Sequence, residues 1–525
     1  THADGPLLIL AGAGSGKTKT LTHRIAYLIG ELKIFPSRIL AVTFTNKAAK
    51  EMRQRLAQIL GEDSENRQFM PWMGTFHSIC VRMLRMDGEN IGLNKRFLIY
   101  DTDDQISLMK QIMKSRGLTD KDIKPRAVLS AISNAKNEMR NAEDFSASTR
   151  GPREQKIAEL FFAYEKALKD TSALDFDDLL IKTVELLSSK PDIRHKWQRQ
   201  FEHILIDEYQ DTNAVQYALI KLLVNSRRNL CVVGDDAQSI YSFRGADYTN
   251  ILNFERDFPG TTVVKLEQNY RSTGAILNMA NALISHNIHR TDKSLWTANG
   301  DGVEPKLWQL YNESEEALAI ANEIQAQIAN GRQYGDVAVL YRTNAQSYPI
   351  ERALRQSYIP YKIVGGLRFL DRAVVKDLLA YLRLLYQPSD RVSFLRIVNT
   401  PKRGVGAVSI SKFLDWNDAS GKDIISGLLA VEEADTLTAR AKRPLLEFGQ
   451  KLHDLQQEID GSPAELIEKI MKSTGYEDFI NDGTPQAEER MENIGVLLSE
   501  AKAYVDVATF LEEMALMSST DTTAD

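Results

Sequence analysis

The stretch Leu7–Ile29, LLILAGAGSGKTKTLTHRIAYLI, decides the fold. Five apolar residues, Leu7 to Ala11, have the composition of a buried strand. Gly12, Gly14 and Gly16 follow, then Lys17 and Thr18, then apolar positions at helical spacing. Strand, turn and helix in that order make a phosphate cradle. Glycines let consecutive backbone N–H groups point inward at phosphate oxygens, and the helix opening near Lys17 adds its positive end. Ala11 to Thr18, AGAGSGKT, fits the phosphate-loop pattern G-x-x-x-x-G-K-[ST], with Ala11 in the first glycine position. Ala11, Gly12, Ala13, Gly14, Ser15, Gly16, Lys17 and Thr18 are therefore the candidate cradle. Lys17 is placed to reach the β- and γ-phosphates, and the Thr18 hydroxyl to ligate Mg²⁺. A plain Gly-rich turn explains the glycines but not the Lys-Thr pair.

Outward from this motif, the chain is long enough for several domains, with 525 residues, 43% of them hydrophobic and 26% charged. No apolar run approaches the ~18–20 residues of a membrane span. The N-terminus has no signal-peptide order. Cys80 and Cys231 are distant in sequence and form no metal-type pair. A reducing, cytoplasmic compartment is the simplest expectation. The net charge of −6 excludes little, because nucleic-acid binding depends on a local patch.

The β-type runs PLLILAG and RILAVTF alternate with helical patterns, which predicts a parallel sheet with crossover helices. From about Asp101 to Thr171 only helical periods occur, so a helical block is inserted. HILID at 203–207, LCVVGD at 230–235 and TVVKLE at 262–267 resume the sheet. A second α/β stretch follows, with PKLWQLY, DVAVLYR and IPYKIVGG as strands and ESEEALAIANEIQAQIANG as a helix. Beyond about Pro388 the chain is mostly helical, and the tail SSTDTTAD reads as disordered or as a cut linker.

HILIDEYQD places Asp207 and Glu208 at the end of an apolar strand. An aspartate there holds Mg²⁺ and the neighbouring glutamate takes a proton from the attacking water. In VVGDDAQSIYSFRGA, 232–246, Gln238 is suited to contact a γ-phosphate or that water. Tyr241, Phe243 and Arg244 suit base stacking with a backbone contact. Core packing accounts for Tyr241 and Phe243 equally well on spacing alone. In LEQNYRSTGAIL, 266–277, Arg271 is suited to stabilise a transferred phosphoryl group and Tyr270 to stack on a base. The carboxylates Asp175, Asp177 and Asp178 in ALDFDDLL open a helix and are not a metal site.

AGAGSGKT, AVTFTNKAA, GTFHS, DEYQD, GDDAQSIYSFRGA and NYRST occur here in one order. The set resembles the UvrD/Rep/PcrA-type superfamily 1A DNA helicases. VGGLRFLDRAVVKDLLAYLRLL, 364–385, is similar to that family's second motor lobe, and NTPKRGVGAVS, 399–409, to its duplex-contacting helical insertion. The resemblance covers nearly the whole chain. It implies an α/β fold of RecA-like lobes with parallel sheets, each carrying a helical insertion. The expected divisions are 1–97 and 173–271 for the first lobe, 98–172 for its insertion, 272–387 for the second lobe, and 388–525 for the second insertion.

The resemblance also implies ATP and Mg²⁺ as cofactors and 3′→5′ movement on single-stranded DNA with duplex unwinding. Lys17 and Thr18 then bind phosphate and metal, Asp207 is the metal ligand and Glu208 the base. Gln238 senses the γ-phosphate, Arg271 is an arginine finger and Tyr270 stacks on adenine. Thr43, Phe44 and Asn46, with Thr75, Phe76 and His77, are implied DNA contacts, as are Tyr241, Phe243 and Arg244. For TFTN and GTFH, spacing alone favours a strand end with a helix N-cap. Phe243 stands where many relatives have Trp.

Members of this family carry a glutamine-containing segment before the first strand, and a return to the second lobe with a further arginine finger. Neither is found here. The resemblance therefore predicts a chain truncated at both ends, with an incomplete second lobe. Single/double-strand junctions and repair or replication proteins are the expected partners. A helicase-nuclease motor subunit and a non-hydrolysing single-strand DNA clamp are the alternatives. The set Lys17, Asp207, Glu208 and Gln238 argues against the clamp, which needs no general base.

Overall fold

The computed structural model describes residues 4–520, except 67, 120–121, 243–244, 289, 343–345, 365–369, 371 and 482–484. Six parallel strands form the main sheet: β1 (Leu7–Ala11), β2 (Ile39–Thr43), β3 (Met73–Thr75), β6 (His203–Ile206), β7 (Leu230–Gly234) and β8 (Thr262–Leu266). Their spatial order is β3-β2-β6-β7-β1-β8. β1 lies between β7 and β8, with Leu7 in register with Cys231 on one side and Thr262 on the other.

Alternation along each strand feeds two cores. Leu8, Leu10, Leu40, Val42, Ile204, Ile206 and Val232 face one side. Leu7, Ile9, Ala41, Leu205, Cys231 and Val233 face the other. Burial on both faces is why these strands read as continuous apolar runs, as parallel strands under helices do. The crossover helix Lys17–Gly30 buries Leu21, Ile25 and Leu28 against the second core. Both cysteines are buried and unpaired, and burial pushes the Cys80 thiol up to about 12.

Two short strands, β4 (Leu98–Ile99) and β5 (Ala173–Leu174), pair in parallel and bring together the ends of the helical block between them. That block has its own core, which includes Tyr100, Met109, Ile132, Phe161 and Tyr164. At its return, Asp175 caps the helix Phe176–Ser189 in a reciprocal capping box with Asp178. Lys136 forms buried ion pairs with Asp175 at 2.8 Å and Asp178 at 2.6 Å. These carboxylates serve a cap and an ion pair, and no metal-type cluster of three or more such ligands occurs among the described residues.

The helix Ala373–Tyr386 is the centre of a third body. Helices from Arg391–Ile397 to Val507–Thr520 surround it, around a core that includes Leu378, Leu382, Phe394, Phe448, Ile467 and Phe510. Ser518 to Thr520 belong to the last helix, so the predicted disordered tail does not begin at Ser518; residues 521–525 lie outside the described set.

The second α/β stretch differs from expectation. The helix Glu313–Ala329 forms and packs on Ser347–Gln356 around Ala317, Ala321, Ile324, Ile350 and Leu354. The described parts of PKLWQLY, DVAVLYR and IPYKIVGG carry no strand. No described strand pairs with them, and Leu307 and Leu340 are 96% and 94% exposed. Short strands β9 (Gln268–Asn269) and β10 (Trp296–Thr297) do pair, beside the end of β8. No helix among the described residues is long and apolar enough to cross a membrane.

Candidate nucleotide and nucleic-acid site

The site lies at the carboxyl ends of the parallel strands, where open α/β sheets bind ligands. β1 ends at Ala11, which is fully buried, and the chain turns through Gly14 and Gly16 with φ of 65° and 86°. A Cβ on Gly14 would stand 2.6 Å from Asn269 Nδ2 and 2.8 Å from Arg271 Cβ. Ser15 closes the loop by donating its hydroxyl to the Gly12 carbonyl at 2.7 Å. Gly16 caps the helix Lys17–Gly30 without a side chain, and the first turn holds no acidic residue. The first N–H groups of this helix therefore face an uncompensated positive end, suited to an anion.

β6 delivers the acidic pair. Asp207 Oδ2 accepts from the Thr18 hydroxyl at 3.4 Å, and Asp207 Oδ1 accepts from the Glu208 backbone N–H at 3.0 Å. Burial first, and Glu208 second, push the Asp207 carboxyl up to about 6. A cation at the Thr18–Asp207 pair would offset that burial. Hard oxygen donors of this kind fit Mg²⁺, which takes few protein ligands and completes its shell with phosphates and water. Glu208 has left-handed backbone, φ 50° and ψ 45°, rare for a residue with a Cβ and common where a site holds strain.

β7 delivers the third group. Gln238 Oε1 accepts from Lys17 Nζ at 3.0 Å, and Lys17 Nζ also lies 3.3 Å from Glu208 Oε2. Gln238 donates its amide to Asp235 Oδ2 at 2.6 Å. Gln210 bridges the two strand ends. Its amide donates to Glu208 Oε2 at 2.8 Å, and its carbonyl accepts from the Asp235 N–H at 2.9 Å. Lys17, Glu208, Gln210, Asp235 and Gln238 thus close a ring of polar contacts. Beside it, burial and Glu208 push Asp211 up to about 7.

The segment after β8 docks on the phosphate loop. Asn269 donates to the Ala13 carbonyl at 2.6 Å, and Tyr270 N–H donates to the Gly14 carbonyl at 3.0 Å. Tyr270 is 65% exposed, and the Arg271 side chain is exposed next to the loop. Asn269 Oδ1 also accepts from the Arg271 and Ser272 N–H groups. The motif NYRST gives no hint of this role beyond a side-chain acceptor placed before two exposed residues, the signal of a turn-builder.

The residues read as DNA contacts divide. Phe44 and Tyr241 meet as a stacked pair, with centroids 5.0 Å apart. Thr43, Thr75 and Phe76 are buried. Thr75 caps the helix Phe76–Asp87, and Thr45 caps Asn46–Leu60, as spacing alone predicts. Asn46 donates to the Leu516 carbonyl at 3.4 Å, so the last helix reaches this strand end. Burial holds His77 down to about 4, so its ring is neutral at pH 7, edge-on to Phe176. Phe243 and Arg244 lie outside the described residues.

The family model for the UvrD/REP helicase N-terminal domain matches residues 1–259, and that for the UvrD-like helicase C-terminal domain matches 264–521. The ATP-dependent DNA helicase PcrA of Bacillus subtilis is 45% identical over 529 residues, covering 99% of this chain and 71% of the relative. PcrA of Leuconostoc citreum is 43% identical, over 99% of this chain and 71% of that protein. PcrA of Staphylococcus aureus strain NCTC 8325 is 42% identical, over 98% and 70%. The second model's match runs to residue 521, and the chain spans about 70% of the length of these relatives.

Proposed function

This chain belongs to the UvrD-type family of ATP-dependent DNA helicases, and we propose that it moves 3′→5′ along single-stranded DNA to open duplexes at single/double-strand junctions. The observation that carries this reading is Lys17, whose ammonium joins the phosphate loop to Glu208 and to Gln238. Gln238 stands three residues before Tyr241, which stacks on Phe44. A phosphate entering the cradle competes for Lys17, releases Gln238 and moves the aromatic pair. Hydrolysis in turn answers to what the aromatics hold.

Ala11 to Gly16, with Lys17 and Thr18, bind the phosphates of ATP. Thr18 and Asp207 hold Mg²⁺, which supplies charge neutralisation at the phosphates when bound. Glu208 orients and deprotonates water, Arg271 faces the transferred phosphoryl group, and the exposed Tyr270 ring stacks on adenine. Phe44 and Tyr241 stack on bases irrespective of sequence, aided by Asn46 and His77 and, outside the described residues, by Phe243 and Arg244. Thr43, Thr75 and Phe76 act from buried positions, by shaping the strand ends from which backbone groups meet DNA. The cellular setting is the cytoplasm, in DNA repair or replication restart with partner proteins of those pathways.

Asp207 takes up a proton as pH falls through about 6. Only the ionised carboxylate holds the metal, so Mg²⁺-dependent nucleotide binding weakens on the acid side of that value. Raising Mg²⁺ moves the midpoint to lower pH. A midpoint insensitive to Mg²⁺ removes Asp207 as ligand. Direction is tested with duplexes bearing a 3′ or a 5′ single-stranded tail. ATP-dependent opening of the 3′-tailed duplex is the expected result, and preferential opening of the 5′-tailed one overturns it.

A further inference from the structure

We infer that Lys293 is a positioning residue for Gln238, a reading that rests on the ATPase assignment above. Lys293 Nζ forms ion pairs with Asp235 Oδ1 and Asp236 Oδ1, and all three side chains are at most 8% exposed. Thr291, two residues earlier, gives both its N–H, at 2.9 Å, and its hydroxyl to Asp236. Leu295, two residues later, fills the space beside Gly12, where a Cβ would stand 2.1 Å from Leu295 Cδ2. One short segment thus ties the acidic pair after β7 to the phosphate loop.

A lysine ordinarily keeps its ammonium in water and buries only its stem. Burying that head is unfavourable unless it is fully paired. Here it balances two adjacent buried carboxylates. Asp236 stays below the ordinary aspartate range despite its burial, because Lys293 and Thr291 donate to it.

The consequence falls on Gln238. Its amide has two nearly isosteric ends, one a donor and one an acceptor. Asp235 Oδ2 fixes the donor end at 2.6 Å, which leaves Oε1 facing Lys17 at 3.0 Å. Asp235 does this from a buried position with one oxygen, and Lys293 holds its other oxygen. Lys293 therefore fixes Asp235, and through it the placement of Gln238 opposite Lys17, without lying beside Gln238 itself.

The test compares Lys293→Met and Lys293→Arg with the unaltered chain in ATP hydrolysis stimulated by single-stranded DNA. Affinity is measured in parallel with a fluorescent, non-hydrolysable ATP analogue. Misplacing a group in an active site costs about 10- to 100-fold, so kcat for Lys293→Met falls by that factor. KM for ATP and analogue affinity stay within about twofold, and Lys293→Arg restores most of kcat. Thermal melting reports whether Lys293→Met folds. Where it does not, Lys293→Met combined with Asp236→Asn relieves the unpaired charge and still leaves Asp235 without its cation. A folded variant of either kind with unaltered kcat overturns the inference. So does a parallel loss of kcat and nucleotide affinity that arginine does not restore, since that marks a merely structural role. Absence of DNA-stimulated hydrolysis in the unaltered chain overturns the ATPase reading instead.

Discussion

Between Leu7 and Gly234, short apolar runs pair into a ladder with buried faces. Between Pro305 and Ile363, runs of similar composition pair with no described strand and leave Leu307, Tyr311 and Leu340 at least 94% exposed. The two regions share the same local signal. They differ in partners: Ile9 has Val233 on one side and Val264 on the other, and Ile206 has Val42 and Val232. β-Propensity describes fitness for a pleated, half-buried surface and does not by itself supply that surface. The chemistry follows the same division, since Thr18, Asp207, Glu208 and Gln238 all leave the ends of paired strands or the helix behind one.

Changes that probe this contrast differ in size. The largest is Glu208→Gln, which removes the proposed base while keeping its shape. Hydrolysis falls by about 10²–10⁴-fold, equivalent to about 3–5 kcal/mol, with ATP binding retained. Rapid hydrolysis by this variant, measured in a single turnover, removes Glu208 from that role. Next come the cores. Leu8→Ala and Ile206→Ala each lower unfolding free energy by about 2–5 kcal/mol, read from denaturant titration. Tyr241→Ala weakens single-stranded DNA binding by about 1–3 kcal/mol at fixed salt, through loss of a stacking face. The smallest effect is in the unpaired stretch, where Leu340→Ala changes stability by about 0.5 kcal/mol or less. A core-sized loss at Leu340 would mean that this residue is packed, and the contrast would break.

Much of the first region was legible because its signals are local. A glycine turn between an apolar strand and a helix is contiguous, so Leu7–Thr18 could be read directly. Strands of four or five residues buried on both faces announced β1, β2, β6 and β7, and the β-branched run TVVKL announced β8 at the exposed sheet edge. β4, β5, β9 and β10 have two residues each, too few to show a period. The ring through Lys17, Glu208, Gln210, Asp235 and Gln238 joins positions up to 221 apart, which no spacing rule foretells. Lys293 gave no signal at all, because a lysine among polar residues reads as solvated surface. Phe44 and Tyr241 were each legible as aromatics near a motif, and only the fold showed that they touch. Thr75 caps its helix, as spacing alone predicts, and Phe76 is buried in the core beside it.

ATP hydrolysis by Lys17→Ala, with and without single-stranded DNA, asks whether Lys17 joins phosphate binding to the loop that carries Tyr241. DNA-stimulated turnover is expected to be abolished while the variant still folds and still binds DNA. Turnover near that of the unaltered chain, with its response to DNA intact, rules that link out.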